Sequence, residues 1–182
     1  NANLKTGKIG KTEVIRWISP DGNVIEGVLT YPVNYTPGTR YPLIIEAHGG
    51  PSSNFLRYFT GGTSWPIIPT GTFSSLGYAV LHPNIRGSNG YGPDFVRANY
   101  ADWGGGDYRD LIAGADYLVD QGIADPDRMG IIGQSYGGYM AAWTVTQTPR
   151  FKGAVVIDGI TDLVGNAGTT DAPFDQPDLL GG

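Results

Sequence analysis

Residues 129–143 read MGIIGQSYGGYMAAW, a stretch that sets Ser135 between Gly133 and Gly137 at the end of an apolar run. A serine in this spacing can attack a carbonyl if a sharp turn from strand to helix lifts its hydroxyl clear of the sheet. The two glycines leave room for such a turn. In a chain with 29 glycines the pattern means little alone, but its surroundings fit. MGIIG reads as a buried strand and YGGYMAAWTVTQT as a helix that ends before Pro149, and a helix N-terminus favours developing negative charge.

Attack on a carbonyl creates an oxyanion, which needs backbone N–H donors aimed at it. The N–H of Tyr136 is one candidate. The second is expected from a glycine-rich loop after an upstream strand, and HGGP at 48–51 supplies it, with Gly50 as the donor. The base that would activate Ser135 is harder to find. The chain has two histidines, His48 and His82, and both precede Ser135. His48 sits in the oxyanion loop and reads as a residue that orients it; His82, in LHPN at a strand end, reads as structural. None of the residues 136–182 is a histidine. Asp158, after GAVVI, is read as a strand-end aspartate bonding the next turn rather than as a catalytic acid.

The elements that must position these groups follow from periodicity. TEVIRWIS and NVIEGVLTYP, joined by PDG, form a β-branched hairpin. YPLIIEAH (41–48) and YAVLHPN (78–84) are apolar runs of the kind buried on both faces of a parallel sheet. The long stretch between them, 52–71, predicts a functional loop around a short helix. From Asp107 onward, Leu111, Ile112, Ala115, Leu118 and Val119 mark one helical face, with Asp107 as N-cap and Gly122 as stop. The order strand, helix, strand, helix, strand through GAVVI (153–157) predicts a parallel sheet with right-handed crossovers, MGIIG in its middle between 41–48 and 153–157. Six strands are counted, and the sixth is expected at a bare edge with its apolar side chains uncovered. The tail from Asp162 reads as polar and turn-rich.

Composition narrows the function. The length of 182 residues, with 40% hydrophobic content, suffices for a core and argues for one domain or most of one. Net charge is −5, and the 12 lysines and arginines are scattered, which argues against a nucleic-acid partner. No apolar run has the length of a membrane span, and no leader pattern opens the chain. The absence of cysteine excludes a disulfide framework and leaves the compartment open between cytoplasm, periplasm and exterior. Nothing in the motifs calls for a cofactor or a metal. Arg86 and Tyr91 in NIRGSNGYG, with Phe55, Tyr58, Phe59 and Trp65 of the long loop, follow strand C-terminal ends and are candidates for walls of a substrate site. Arg86 reads equally as an ion-pair partner holding its loop.

EAHGGP, NIRGSNGYG, WGGGDYRDLIAGADYL, ADPDRMGIIGQSYGGYMAAW and FKGAVVIDGITDL, in this order, resemble the catalytic domain of the prolyl oligopeptidase family of serine peptidases, in its acylaminoacyl-peptidase and dipeptidyl-peptidase-like branch. The resemblance covers residues 13–182. It implies an α/β-hydrolase fold with an antiparallel N-terminal hairpin, a nucleophile at Ser135, and oxyanion donors at Tyr136 and Gly50. It implies a peptide or acyl-peptide substrate, and residues 1–12 as the link from an N-terminal β-propeller. The family places its triad Asp and His after two further strands, which have no counterpart in these residues. The expectation is therefore the first two-thirds of a catalytic domain, inactive alone, whose sheet edge is covered by a C-terminal segment or another chain. A carboxylesterase of small acyl esters and a non-catalytic binding module on the same fold stand as alternatives.

Overall fold

Residues 9–57 and 69–170 are described by a computed structural model. β1 (Thr12–Ile18) and β2 (Val24–Thr30) pair antiparallel, from Thr12 opposite Thr30 to Ile18 opposite Val24. The turn closes where Gly22, at φ 89°, donates its N–H to the Ser19 carbonyl at 2.9 Å. β3 (Tyr41–Ala47), β4 (Ala79–Asn84), β5 (Ala124–Gln134) and β6 (Phe151–Ile157) run parallel to one another, and β2 joins them antiparallel to β4. The order is β1-β2-β4-β3-β5-β6, the mostly parallel sheet with an antiparallel hairpin that the patterning predicts.

β5 does lie between β3 and β6, but next to the edge rather than in the middle of the sheet. It is also longer than MGIIG: it starts at Ala124 and takes in ADPDR, with register shifts beside Tyr41 and Met129. β6 is the edge strand, and Val155 and Val156 are 49% and 42% exposed on it.

The helices are α1 (Thr70–Ser75), α2 (Pro93–Arg97), α3 (Gly106–Asp120), α4 (Tyr136–Gln147) and α5 (Leu163–Thr169). α3 buries Leu111, Ala115 and Leu118 as its periodicity requires, and Gly122, at φ 70°, lies just past its C-cap. Its N-cap is Gly105, not Asp107; the aspartate lies inside the first turn, fully buried, where its carboxylate has other work. α5 occupies part of the tail read as turns. It is held by the Asp162 carboxylate, which accepts from Gly165 N at 2.9 Å, a local cap in a segment with no apolar period to announce it. α1 falls at the end of the long 52–71 connection, and Tyr58, Phe59 and Trp65 lie outside the described residues. Packing reaches back to Gly10, whose N–H donates to Ser74 Oγ at 3.0 Å. The core gathers Leu43 and Ile45 of β3, Leu81 of β4, Leu111 and Leu118 of α3, and Met140 of α4. No described helix is long and apolar enough to cross a membrane.

Candidate active site

β5 ends at Gln134 and α4 begins at Tyr136, so one residue makes the whole turn. That residue is Ser135, at φ 57° and ψ −122°, a conformation a side chain enters only when its surroundings hold it there. Three contacts hold it. Ser135 N donates to the Ile157 carbonyl of β6 at 2.9 Å, Tyr139 N donates to the Ser135 carbonyl at 3.0 Å, and the flanking glycines pack without slack. A Cβ on Gly133 would stand 2.1 Å from the Gly137 carbonyl oxygen, and one on Gly137 would stand 2.0 Å from the Ala47 carbonyl oxygen. The serine side chain itself is exposed.

The HGGP loop, expected to supply an oxyanion donor, runs alongside. A Cβ on Gly49 would lie 3.5 Å from Ser135 Cβ, and one on Gly137 would lie 2.8 Å from the His48 carbonyl oxygen, so HGGP and the serine turn meet at the C-terminal ends of β3 and β5. Gly50 is exposed at φ 128°, and a side chain there would collide with Ser52 N at 2.5 Å. As first residue of α4, Tyr136 has a backbone N–H with no helical carbonyl to donate to.

Neither histidine is hydrogen-bonded to Ser135. The His48 Nδ1–H donates to the Gly49 carbonyl at 2.7 Å, and Nε2 meets the Ser88 hydroxyl at 2.8 Å. Burial lowers its pKa, so the ring is a neutral brace for the loop. His82 Nε2 lies 2.9 Å from Glu46 Oε2 between β4 and β3, both side chains buried. Phe55 packs against both rings, 5.4 Å from His48 and 4.7 Å from His82, and its backbone N–H and carbonyl both bond the Asn84 side chain. Asp158, at φ 49°, accepts from Gln134 Nε2 at 3.1 Å, a bond back onto the serine turn.

Arg86 does not face an open cleft. It is 6% exposed, with Nε and Nη2 on the two oxygens of the fully buried Asp110 at 2.9 and 2.6 Å and Nη1 on Asp21 at 2.7 Å. These contacts occupy it as an ion-pair partner and raise its pKa, and they hold Asp21 down at about 2. Tyr91 is 37% exposed; its hydroxyl donates to Glu26 at 3.0 Å and accepts from Asn84 at 2.9 Å. Among the described residues no group of three His, Asp or Glu is placed to hold a metal.

The sequence reading missed the support beneath the serine turn. Tyr136 is 1% exposed, and its hydroxyl donates to Asp107 Oδ2 at 2.5 Å while accepting from Asn99 Nδ2 at 3.0 Å. Asp107 also accepts from Gly104 N and Tyr108 N, and burial pushes its carboxyl up to about 6. An aspartate in WGGGDYRDL and a large aromatic beside Ser135 were both visible, but nothing in the sequence paired them.

The profile of the prolyl oligopeptidase family matches residues 69–181. The chain belongs to that family. Among its family relatives, an uncharacterized peptidase of Bacillus subtilis, YuxL, is 38% identical over 163 residues, 89% of this chain and 24% of that protein. A dipeptidyl aminopeptidase BIII of Pseudoxanthomonas mexicana is 38% identical over 67% of this chain and 17% of its own length. The acylaminoacyl peptidase of Pyrococcus horikoshii superposes with a TM-score of 0.84 at 29% identity, over 97% of this chain and 28% of that one. The chain thus has the fold of the α/β-hydrolase peptidases and spans about a quarter or less of the length of the curated relatives it matches.

Proposed function

We propose that the protein carrying this chain is a serine peptidase that removes N-terminal acyl-amino acids or dipeptides from peptides through an acyl-enzyme on Ser135. The observation that carries the reading is the Ser135 turn: an exposed hydroxyl at φ 57° between strand and helix, with the Gly49–Gly50 loop packed against it. In the first step a base takes the Ser135 proton, Oγ bonds to the scissile carbonyl carbon, and the carbonyl oxygen takes the electron pair. The N–H groups of Tyr136 and Gly50 would receive that oxyanion. Collapse breaks the C–N bond, and the base returns its proton to the leaving amine. Water, deprotonated by the same base, then hydrolyses the ester.

His48 and His82 are committed to Gly49, Ser88 and Glu46, so the base and its acid partner are assigned to chain outside residues 9–57 and 69–170. The exposed valines of β6 favour the same conclusion, because apolar residues on an edge strand call for a covering element. Tyr91 remains a candidate wall of the substrate site.

A fluorophosphonate probe tests the reading on the full-length protein. Labelling at Ser135 that Ser135→Ala abolishes, with turnover of acetyl-aminoacyl or dipeptidyl anilides, supports a peptidase. Labelling with turnover of short acyl esters alone supports an esterase, and no labelling supports a binding module.

A further inference from the structure

Tyr136 has two tasks if the proposed mechanism holds: its backbone N–H receives the oxyanion, and its side chain runs inward from the same residue. The ring is clamped by Trp103, edge-on at 4.8 Å, and by Tyr139, stacked at 6.2 Å. Its far end is tied to Asp107 Oδ2 in the first turn of α3 at 2.5 Å and to Asn99 Nδ2, just past α2, at 3.0 Å. Asp107 would serve α3 as well without this contact, since Gly104 N and Tyr108 N already bond its two oxygens. The arrangement carries costs that helix capping does not require. The carboxylate is fully buried, and Asn99 Oδ1 is buried with no hydrogen-bond partner after its amide has turned toward the Tyr136 hydroxyl.

The mechanical consequence follows from where the slack lies. On the β3 side α4 cannot approach, because Gly137 already touches the Ala47 carbonyl. Its tilt is further opposed by the Tyr139 hydroxyl on the Trp103 carbonyl and by Trp143 Nε1 on the Gly104 carbonyl, and any rotation left about the Ser135 turn would swing the Ser135–Tyr136 peptide away from the carbonyl it must meet. A bond at the distal end of a rigid ring, one residue from the turn, opposes this rotation at the residue that carries the peptide N–H itself.

We propose that Asp107, with Asn99, is a positioning residue for the oxyanion donor, acting through the Tyr136 hydroxyl on the orientation of the Tyr136 N–H. This rests on the reading of Ser135 and Tyr136 given above. Asp107 touches no reacting atom, so its removal should leave substrate binding in place and weaken only what the transition state gains.

The experiment compares Tyr136→Phe, Asp107→Asn and the double variant with the parent in the full-length protein. Tyr31→Phe, which deletes another buried hydroxyl that donates to a carboxylate, that of Glu13, is the control. Active sites are titrated with a fluorophosphonate, and kcat is expressed per titrated site, so that misfolded molecules drop out. For both single variants we expect kcat per site to fall about tenfold, about 1.4 kcal/mol of transition-state stabilisation, with KM little changed. The Ki of a peptidyl trifluoromethyl ketone, whose adduct presents the oxyanion, should rise by the same factor. The double variant should fall no further than the singles, and Tyr31→Phe should match the parent. Fewer titratable sites with parental kcat at each, equal effects from Tyr31→Phe, or loss of fold in both single variants would overturn the proposal and leave Asp107 a purely structural group. A parent that does not label at Ser135 would refute the parent reading instead, and is distinguishable because it involves no variant.

Discussion

Substituting Gly137 by alanine isolates the contact between α4 and β3, the strand that leads into HGGP. The added Cβ would meet the Ala47 carbonyl oxygen at 2.0 Å, its carbon at 2.7 Å and the His48 carbonyl oxygen at 2.8 Å, all backbone atoms. A relaxed C···O contact is about 3.3 Å, so the helix and β3 must part by about 1 Å at the point where HGGP begins. No side chain can turn aside to absorb that. Overpacking of this kind costs about 1–3 kcal/mol of stability. The larger effect is on chemistry, because a displacement of about 1 Å between reacting groups costs about 10²-fold in rate. The assay is the second-order rate of fluorophosphonate labelling at Ser135, alongside urea unfolding. Gly71→Ala is the control, since its new Cβ would meet only Ile9 at 3.7 Å. We expect labelling to slow about 100-fold in Gly137→Ala, more than the stability loss explains, and to stay at the parent rate in Gly71→Ala. Parental labelling and stability in Gly137→Ala would refute the claim that the serine turn and the oxyanion loop share this contact.

Arg86→Ala should destabilise the protein by about 3–5 kcal/mol in urea titration, because it strands the fully buried Asp110 carboxylate; a loss under about 1 kcal/mol would mean Asp110 is not held by this pair. Asp107 has its pKa raised to about 6 in the fold, so its charged form is disfavoured there: its contribution to stability is full below the unfolded value near 4 and is lost as pH rises through about 6. Unfolding free energy should therefore gain up to roughly 3 kcal/mol from this group between pH 7 and pH 4, and Asp107→Asn should remove that part of the slope. His82→Ala should leave Ser135 labelling per folded molecule near the parent's, since His82 faces Glu46; a fall of about 10⁴-fold or more, the scale of losing a triad member, would make His82 the base.

The parts legible in the sequence were those whose physics is local. The spacing of Gly133, Ser135 and Gly137 announces a tight turn because Gly133 clears the Gly137 carbonyl within the same turn, although what Gly137 clears, the Ala47 carbonyl, is distant in the chain, and the apolar runs at 41–48 and 129–133 announce strands because burial on both faces needs nothing but apolar side chains. Asp107 shows the limit. An aspartate before a helical period is an ordinary N-cap by local rules, and it was read so. Its actual partner, the Tyr136 hydroxyl, is 29 residues away, and only the fold brings α3 and α4 together. Arg86 was ambiguous for the same reason, since Asp21 and Asp110 approach it from separate parts of the chain. The position of β5 near the edge was misjudged because the order of strands in a sheet is not written in their composition.

The stretches that mark this chain do little of their chemistry directly. NIRGSNGYG contributes Arg86, bound to Asp110 of α3, and Ser88, whose hydroxyl meets His48 in the oxyanion loop. WGGGDYRDL contributes both acids of that α3 turn, Asp107 and Asp110, one to the serine turn and one to Arg86. The result is one buried polar frame with α3 at its base, tied on one side to the loop that carries Gly50 and on the other to the residue after Ser135. Such a frame is a poor way to gain stability, since buried ion pairs are often matched or bettered by apolar packing of the same volume. What it supplies instead is direction: each hydrogen bond fixes an angle that an apolar contact would leave free. The oxyanion site proposed above needs two backbone donors from different loops to agree on one point in space, and a frame rooted in a single helical turn would make their agreement independent of either loop.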